Sequence, residues 1–230
     1  MKLSLSAIAL CRLKINKGNL YGFEQVSESI LDNLSEERIK QDLDDMIQNG
    51  LIVFSDDDIH ISALGHHIFG MMSEPEQYVM LENIANKICI RIYIRNAYYL
   101  CIIEDWKESE SRKSDRFVFE LLPKMDLVIG SFVYALYYDE KLTLHESDIN
   151  NGIEEKIVIR GNAWDKNRKE ISEIIMRGHY LQDTIYYQKN ETIDGCKGKT
   201  VEKDSDVSEL INTLTEWLFD KISVFDESEM

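Results

Sequence analysis

Residues 35–62, SEERIKQDLDDMIQNGLIVFSDDDIHIS, constrain the fold of this chain more than any other stretch. Ser35 is a good N-cap, Glu36 and Glu37 fall in the first turn where the positive end of the helix dipole favours carboxylates, and Gly50 supplies a C-terminal stop. Between them Ile39, Leu43, Met46 and Ile47 recur at helical spacing and form an inward stripe. Two short strands, 51–54 and 59–62, follow around an acidic turn at 55–58. A helix running into a tight hairpin is the pattern of a helix and wing in a winged-helix module. A DNA-reading module of that kind presents Lys or Arg to the phosphates, because phosphate neutralisation supplies most of the affinity. Here eight carboxylates stand against Arg38 and Lys40, a net of minus six. The carboxylates read as a solvated face, and the stretch reads as a packing platform with no charge for nucleic acid.

Before it, Leu5, Ile8, Ala9 and Leu10 suit a short buried helix over 4–13, and Val26, Ile30, Leu31 and Leu34 a second over 23–34. After it, a helix is expected over 63–72, ending before Pro75. The period then changes. Ile88, Ile90, Ile92 and Ile94 alternate with Cys89, Arg91, Tyr93 and Arg95, a period-two strand, and Asn96 and Ala97 permit a turn into a second strand over 98–104. A polar loop, 107–115, leads to a third strand over 116–122. Beyond it the spacing predicts a helix over 123–137, a strand over 153–160, a helix over 164–176, a strand over 179–189 and a short strand near Thr200. The chain closes on an amphipathic helix, 206–222, with Val207, Leu210, Ile211, Leu214, Leu218 and Ile222 on one face. The fold class is therefore α+β: a winged-helix-like helical subdomain (1–75), then a central antiparallel sheet flanked by helices and the C-terminal amphipathic helix (76–230), the two forming one compact unit.

Composition narrows the function. With 44% hydrophobic residues, 30% charged and 2 prolines, the chain has the balance of an ordinary folded protein. A net charge of −16 disfavours nucleic acid and anionic membrane surfaces as partners. The first residues, MKLSLSAIALCRLKINKG, are interrupted by Arg12 and Lys14 and lack a small-residue cleavage pattern, so they read as a mature first helix. No apolar run approaches the roughly 18 residues that span a bilayer, and a cytoplasmic location without membrane insertion is expected.

Catalytic motifs are absent from the sequence. It has no G-x-G-x-x-G, no G-x-x-x-x-G-K-[ST] and no G-x-S-x-G. Cys11, Cys89, Cys101 and Cys196 form no C-x-x-C pair, and His66 and His67 point about 100° apart on a helix, unlike an i, i+4 chelate. Asp56, Asp57 and Asp58 lack the Gly and Glu that a calcium loop needs at its sixth and twelfth positions. The expectation is a non-enzymatic protein with no catalytic residue, no metal site and no cofactor.

What remains distinctive is aromatic. Tyr93, Tyr98, Tyr99 and Trp106 gather on the hairpin 88–106 beside Arg91 and Arg95, and aromatics with Arg carry interface energy. These six are the candidate partner-binding residues; the alternative is that they cover the core from the second face of the sheet.

The order of elements resembles the EspG-type cytosolic chaperones of type VII (ESX) secretion systems and their relatives in Gram-positive bacteria. The likeness runs through LDDMIQNGLIVFSDDDIHIS, ALGHHIFGMMSEPE and KICIRIYIRNAYYLCIIED to GKTVEKDSDVSELINTLTEWLFDKI, nearly the whole chain as a pattern of hydrophobic spacing. The resemblance implies a chaperone whose central sheet and C-terminal helices hold a helical secretion substrate and keep it soluble before export. By position, the hairpin 91–106, its following loop and the C-terminal helix would form the holding surface. The implied partner is a helical secreted protein of the WXG100, LXG or PE/PPE type. The competing expectations are a winged-helix transcriptional regulator with a ligand-sensing sheet and a hydrolase or toxin-immunity protein whose site is assembled by the fold.

Overall fold

The computed structural model describes residues 1–15, 20–24, 30, 32, 34–55, 58–83, 88–105, 116–124, 157–181, 184–193, 196–197, 201–205 and 207–223. These residues form an α+β protein in which every strand pair of defined register is antiparallel. The chain groups into two compact units, each discontinuous in sequence: Met1–Tyr78 with Arg91–Pro123, and Val79–Ile90 with Lys124–Met230. The sequence reading placed its division near residue 75, before the first unit takes back the strands 91–123.

The first unit opens on β1 (Lys2–Ser4), which no sequence signal foretold, and continues into α1 (Leu5–Ile15). Ser6, Ala7, Ile8, Ala9 and Cys11 of α1 are all buried, so this helix is enclosed on most sides rather than along one stripe. The expected helix over 23–34 falls largely on residues outside those described. Next come α2 (Glu36–Gln48), β2 (Ile52–Ser55), β3 (Asp58–Ile61) and α3 (Ala63–Ser73), close to the expected helix, wing and helix. Ser35 caps α2 by accepting from the Arg38 amide at 3.2 Å, and Ser62 caps α3 by accepting from the Gly65 amide at 3.0 Å.

Two expectations for α2 fail. Ile47 is 38% exposed instead of facing inward, while Asp42, assigned to the solvated face, is 1% exposed. Burying a carboxylate is tolerated only when it is hydrogen-bonded and paired, and Asp42 is both. It accepts from the hydroxyls of Ser4, at 2.7 Å, and of Ser6, and it pairs with Arg38 at 3.3 Å. Ser4 also caps α1 through the Ala7 amide at 3.0 Å, so this one carboxylate ties the start of α1 to the middle of α2.

The sheet of this unit runs β1, β7 (Arg116–Leu122), β6 (Tyr98–Asp105), β5 (Ile88–Arg95). The three longer strands lie where the periodicity placed them. Asn96 and Ala97 turn β5 into β6 with φ of 51° and 59°, the left-handed pair that matches the twist of a two-residue hairpin.

The second unit holds part of β4 (Gln77–Asn83), to which the sequence reading assigned no element, beside β8 (Ile157–Asp165). From there β9 (Glu170–Leu181), β10 (Thr184–Ile193) and β11 (Cys196–Lys197) follow as a meander, with β12 (Val201–Ser205) on β10. The expected helix over 164–176 is instead the end of β8, a turn and the start of β9. Ser172, Ile174 and Met176 are buried in alternation, and Asp165, Lys166, Asn167, Arg168 and Lys169 make the turn. The single strand expected over 179–189 is the β9–β10 hairpin, and the helix expected over 123–137 lies almost wholly outside the described residues. The C-terminal helix, α4 (Val207–Ser223), matches its expected bounds and packs Leu214, Trp217 and Leu218 inward. Trp217 donates its indole N–H to the Ser172 hydroxyl at 3.1 Å. Its ring lies where a Cβ on Gly161 would come within 2.8 Å, so the helix sits against bare backbone of β8.

The β8–β9 turn is fastened by Asp165, whose carboxylate accepts from the amides of Lys169 and Asn167, each at 2.9 Å. The Lys169 amide bond, then that of Asn167, holds this carboxyl below its ordinary value. A depressed carboxyl contributes stability that is present above its unfolded pKa and lost as pH falls through the folded one. Asp165→Ala should therefore lower the melting temperature at pH 7, and the gap to the parent chain should close as pH drops below about 4. Melting curves at pH 7 and pH 3 check this, and a gap independent of pH would contradict it.

Candidate partner-binding surface

The six residues singled out by the sequence divide sharply. Arg91 donates from Nη1 to Glu104 Oε2 at 2.6 Å, with only 12% and 10% of the two side chains exposed. Its guanidinium lies 4.9 Å from the centroid of the Phe23 ring, a cation–π contact. Tyr93 is fully buried and donates its hydroxyl to the Tyr21 carbonyl at 2.7 Å; its ring is 5.0 Å from that of Tyr78, which meets Tyr21 edge-on at 5.9 Å. Tyr99 is 5% exposed. These three belong to the core, a correction of the surface role expected for them. The period-two pattern exposed one apolar face, Ile90, Ile92 and Ile94, but the opposite face is covered too, by the segment 20–23. A legible sign was Leu20-Tyr21-Gly22-Phe23, three large apolar side chains around a glycine. Gly22 has φ +70°, and any Cβ there would collide with the Tyr78 hydroxyl.

Arg95 and Tyr98 stay at the surface, at the tip of the β5–β6 hairpin, where the tip is clasped to α3. Arg95 donates to the Gly70 carbonyl at 2.9 Å and lies 3.4 Å from the Glu74 carboxylate. The Glu76 carboxylate accepts from the Asn96 amide at 3.2 Å. Tyr98, 45% exposed, meets His67 edge-on at 5.1 Å, and Leu64 on the same helix is 40% exposed. Trp106 and the loop 107–115 lie outside the described residues.

A second apolar surface, not singled out by the sequence reading, is the wing. Its register pairs Ile52 with Ile61 and Phe54 with Ile59, and residues directly opposite share a face. That face therefore carries four apolar side chains, Ile52, Phe54, Ile59 and Ile61. Its inner end is core, with Ile52 2% exposed, and its outer end is open, with Phe54 61% exposed. The other face presents Val53, 48% exposed, with Asp58 toward the tip. Ile47 stands exposed in the last turn of α2.

Among the described residues reactive chemistry is sparse. Desolvation pushes the Cys11 and Cys101 thiols up to about 12, with the Glu120 charge adding to the effect at Cys101. Both are buried, as is Cys89, so all three should resist a thiol reagent in the folded protein and react on unfolding. Counting fast-reacting thiols with and without denaturant checks this, and rapid native labelling of Cys11 or Cys101 would contradict it. Among the described residues no group of three or more His, Cys, Asp and Glu is arranged to hold a metal ion, and no helix is long and apolar enough to cross a membrane.

Comparison with known proteins returned no family model and no curated protein that matches this chain.

Proposed function

We propose that this protein is a non-enzymatic chaperone or adaptor that binds a helical secreted protein, of the type carried by type VII secretion, and keeps it soluble before export. One observation carries the reading. The unit with a helix–wing–helix order is acidic where a nucleic-acid reader is basic, and it displays the large apolar side chains Ile47, Val53, Phe54, Leu64 and Tyr98 in its place. Exposed apolar groups of that size suit a partner with an apolar face, and a helical secretion substrate presents one. The resemblance of the element order to EspG-type chaperones supports the same role. Affinity purification of the full chain from its native host tests the reading: a helical secreted protein in the eluate supports it, and an eluate without one overturns it.

The same helix–wing order favours a transcriptional regulator as the second reading. Its charge argues the other way, because the solvent-facing positions of α2 include Glu36, Glu37 and Asp44 beside Lys40. No retardation of genomic fragments is expected in a gel shift at low salt, and a salt-sensitive shift would favour the regulator.

A further inference from the structure

We propose that Asn49–Gly50, where α2 passes into the wing, is a deamidation site that the fold holds shut and that unfolding opens, so that the chain acquires a covalent mark of time spent unfolded. The proposal is independent of what the protein binds. Asparagine is a labile residue in water, and most so before glycine. The glycine nitrogen attacks the asparagine Cγ, the side-chain amide leaves as ammonia, and a five-membered imide remains. Water then opens the imide at either carbonyl, giving aspartate or an isoaspartate whose main chain runs through the former side chain. The net change is amide plus water to acid plus ammonia. Glycine favours the attack because it has no Cβ to hinder the approach.

The native geometry blocks the first step at each group it needs. At Asn49 ψ is 1°, so the Gly50 nitrogen eclipses the Asn49 main-chain nitrogen and is turned away from the side chain it must attack. The Gly50 N–H donates to the Ile47 carbonyl at 2.9 Å, which holds the proton that has to leave. The Asn49 side-chain amide donates to the Asp45 carbonyl at 2.7 Å and is fixed against α2. On either side, the Asn49 and Leu51 amides donate to the carbonyls of Asp45 and Met46, and the Gly50 carbonyl accepts from the Ser62 hydroxyl at 2.6 Å. Gly50 is exposed, with φ +68° and open space where a Cβ would stand, so exclusion of water is not what protects it. The hydrogen-bonded turn is, and only its opening, local or global, releases the pair.

The product does not fit back. A carboxylate at 49 cannot donate to Asp45, and it stands at the negative end of α2, whose last turn has no basic residue. The isoaspartate lengthens the main chain between Asn49 and Gly50, which displaces Gly50 from Ser62 and Leu51 from Met46.

The full chain is held in mildly alkaline buffer with and without denaturant, digested at acidic pH and mapped by mass spectrometry for the amide-to-acid change. Asn151–Gly152, the other Asn-Gly pair of the sequence, is the internal clock of the denatured arm. In denaturant the two pairs should react within about threefold of each other, and native buffer should slow Asn49 at least about tenfold. Asn49 converting as fast in native buffer as in denaturant overturns the proposal. So does an Asn49 that stays intact in denaturant while Asn151 converts. Refolding reads the consequence: recovery of native circular dichroism should fall with time in denaturant, at least about threefold more slowly for Asn49→Gln, whose longer side chain closes an imide ring reluctantly. Equal loss in the two chains overturns the proposed mark. The mapping uses the parent chain alone and decides the question whether or not Asn49→Gln folds.

Discussion

Gly65→Ala should destabilise the first unit by about 3 kcal/mol or more, even though alanine is the better helix former by roughly 1 kcal/mol. Gly65 lies in the first turn of α3, where a Cβ would strike the Leu51 carbonyl oxygen and come within 2.7 Å of the Ile61 side chain. The first obstacle is backbone and cannot rotate away. That carbonyl also accepts from the Ser62 amide at 2.9 Å, and the Ser62 hydroxyl donates to the Gly50 carbonyl at 2.6 Å. Moving Leu51 aside therefore breaks the seam that joins α2, the wing and α3. Gly70→Ala in the same helix is the control, because its nearest neighbour is the flexible Arg95 guanidinium at 3.6 Å. Chemical denaturation followed by circular dichroism should show a large loss for the first variant and little or none for the second. Equal behaviour of the two would contradict the close approach.

Asp42→Ala should cost about 3 kcal/mol, at the lower end for breaking a buried charge pair because Arg38 remains partly in water. The loss strands the Ser4 and Ser6 hydroxyls in the core and weakens the tie between α1 and α2. Asp42→Asn keeps one carbonyl oxygen as an acceptor and should cost less than half as much, whereas Glu37→Ala, at an exposed carboxylate in the first turn of α2, should cost only about 0.5 kcal/mol. The same denaturation experiment reads all three. If Asp42→Ala proved as mild as Glu37→Ala, the buried carboxylate would have no structural weight.

The contrast between these carboxylates shows where a sequence is legible. Ser35, the apolar spacing of α2 and Gly50 located a helix, a wing and the next helix closely, because caps, periodicity and turns are local properties. Asp42 was misread because nothing local distinguishes it from Asp44 two residues on; its burial is decided by Ser4 and Ser6, which lie 38 and 36 residues away. The same holds for Arg91 and Tyr93, which alternate with isoleucines as solvent-facing residues should. Both are covered by Tyr21 and Phe23, a lid from a distant part of the chain. The segment 164–176 failed for a different reason. Its apolar residues fit helical spacing, but Asp165 and Asn167 are turn formers, and the chain reverses there. On the wing, the face shared by Phe54 and Ile59 is a property of the cross-strand pairing, which neither strand's sequence carries alone.

The central claim is that the acidic helix–wing unit serves to hold a protein. Its most direct test is the particle formed by the tagged full chain recovered from a lysate of its native host at moderate salt and measured by size-exclusion chromatography with light scattering. The account predicts a particle heavier than the 26.8 kDa chain by the mass of a helical secreted protein, without nucleic-acid absorbance. A chain that runs alone at its own mass, or one that carries nucleic acid, would contradict it.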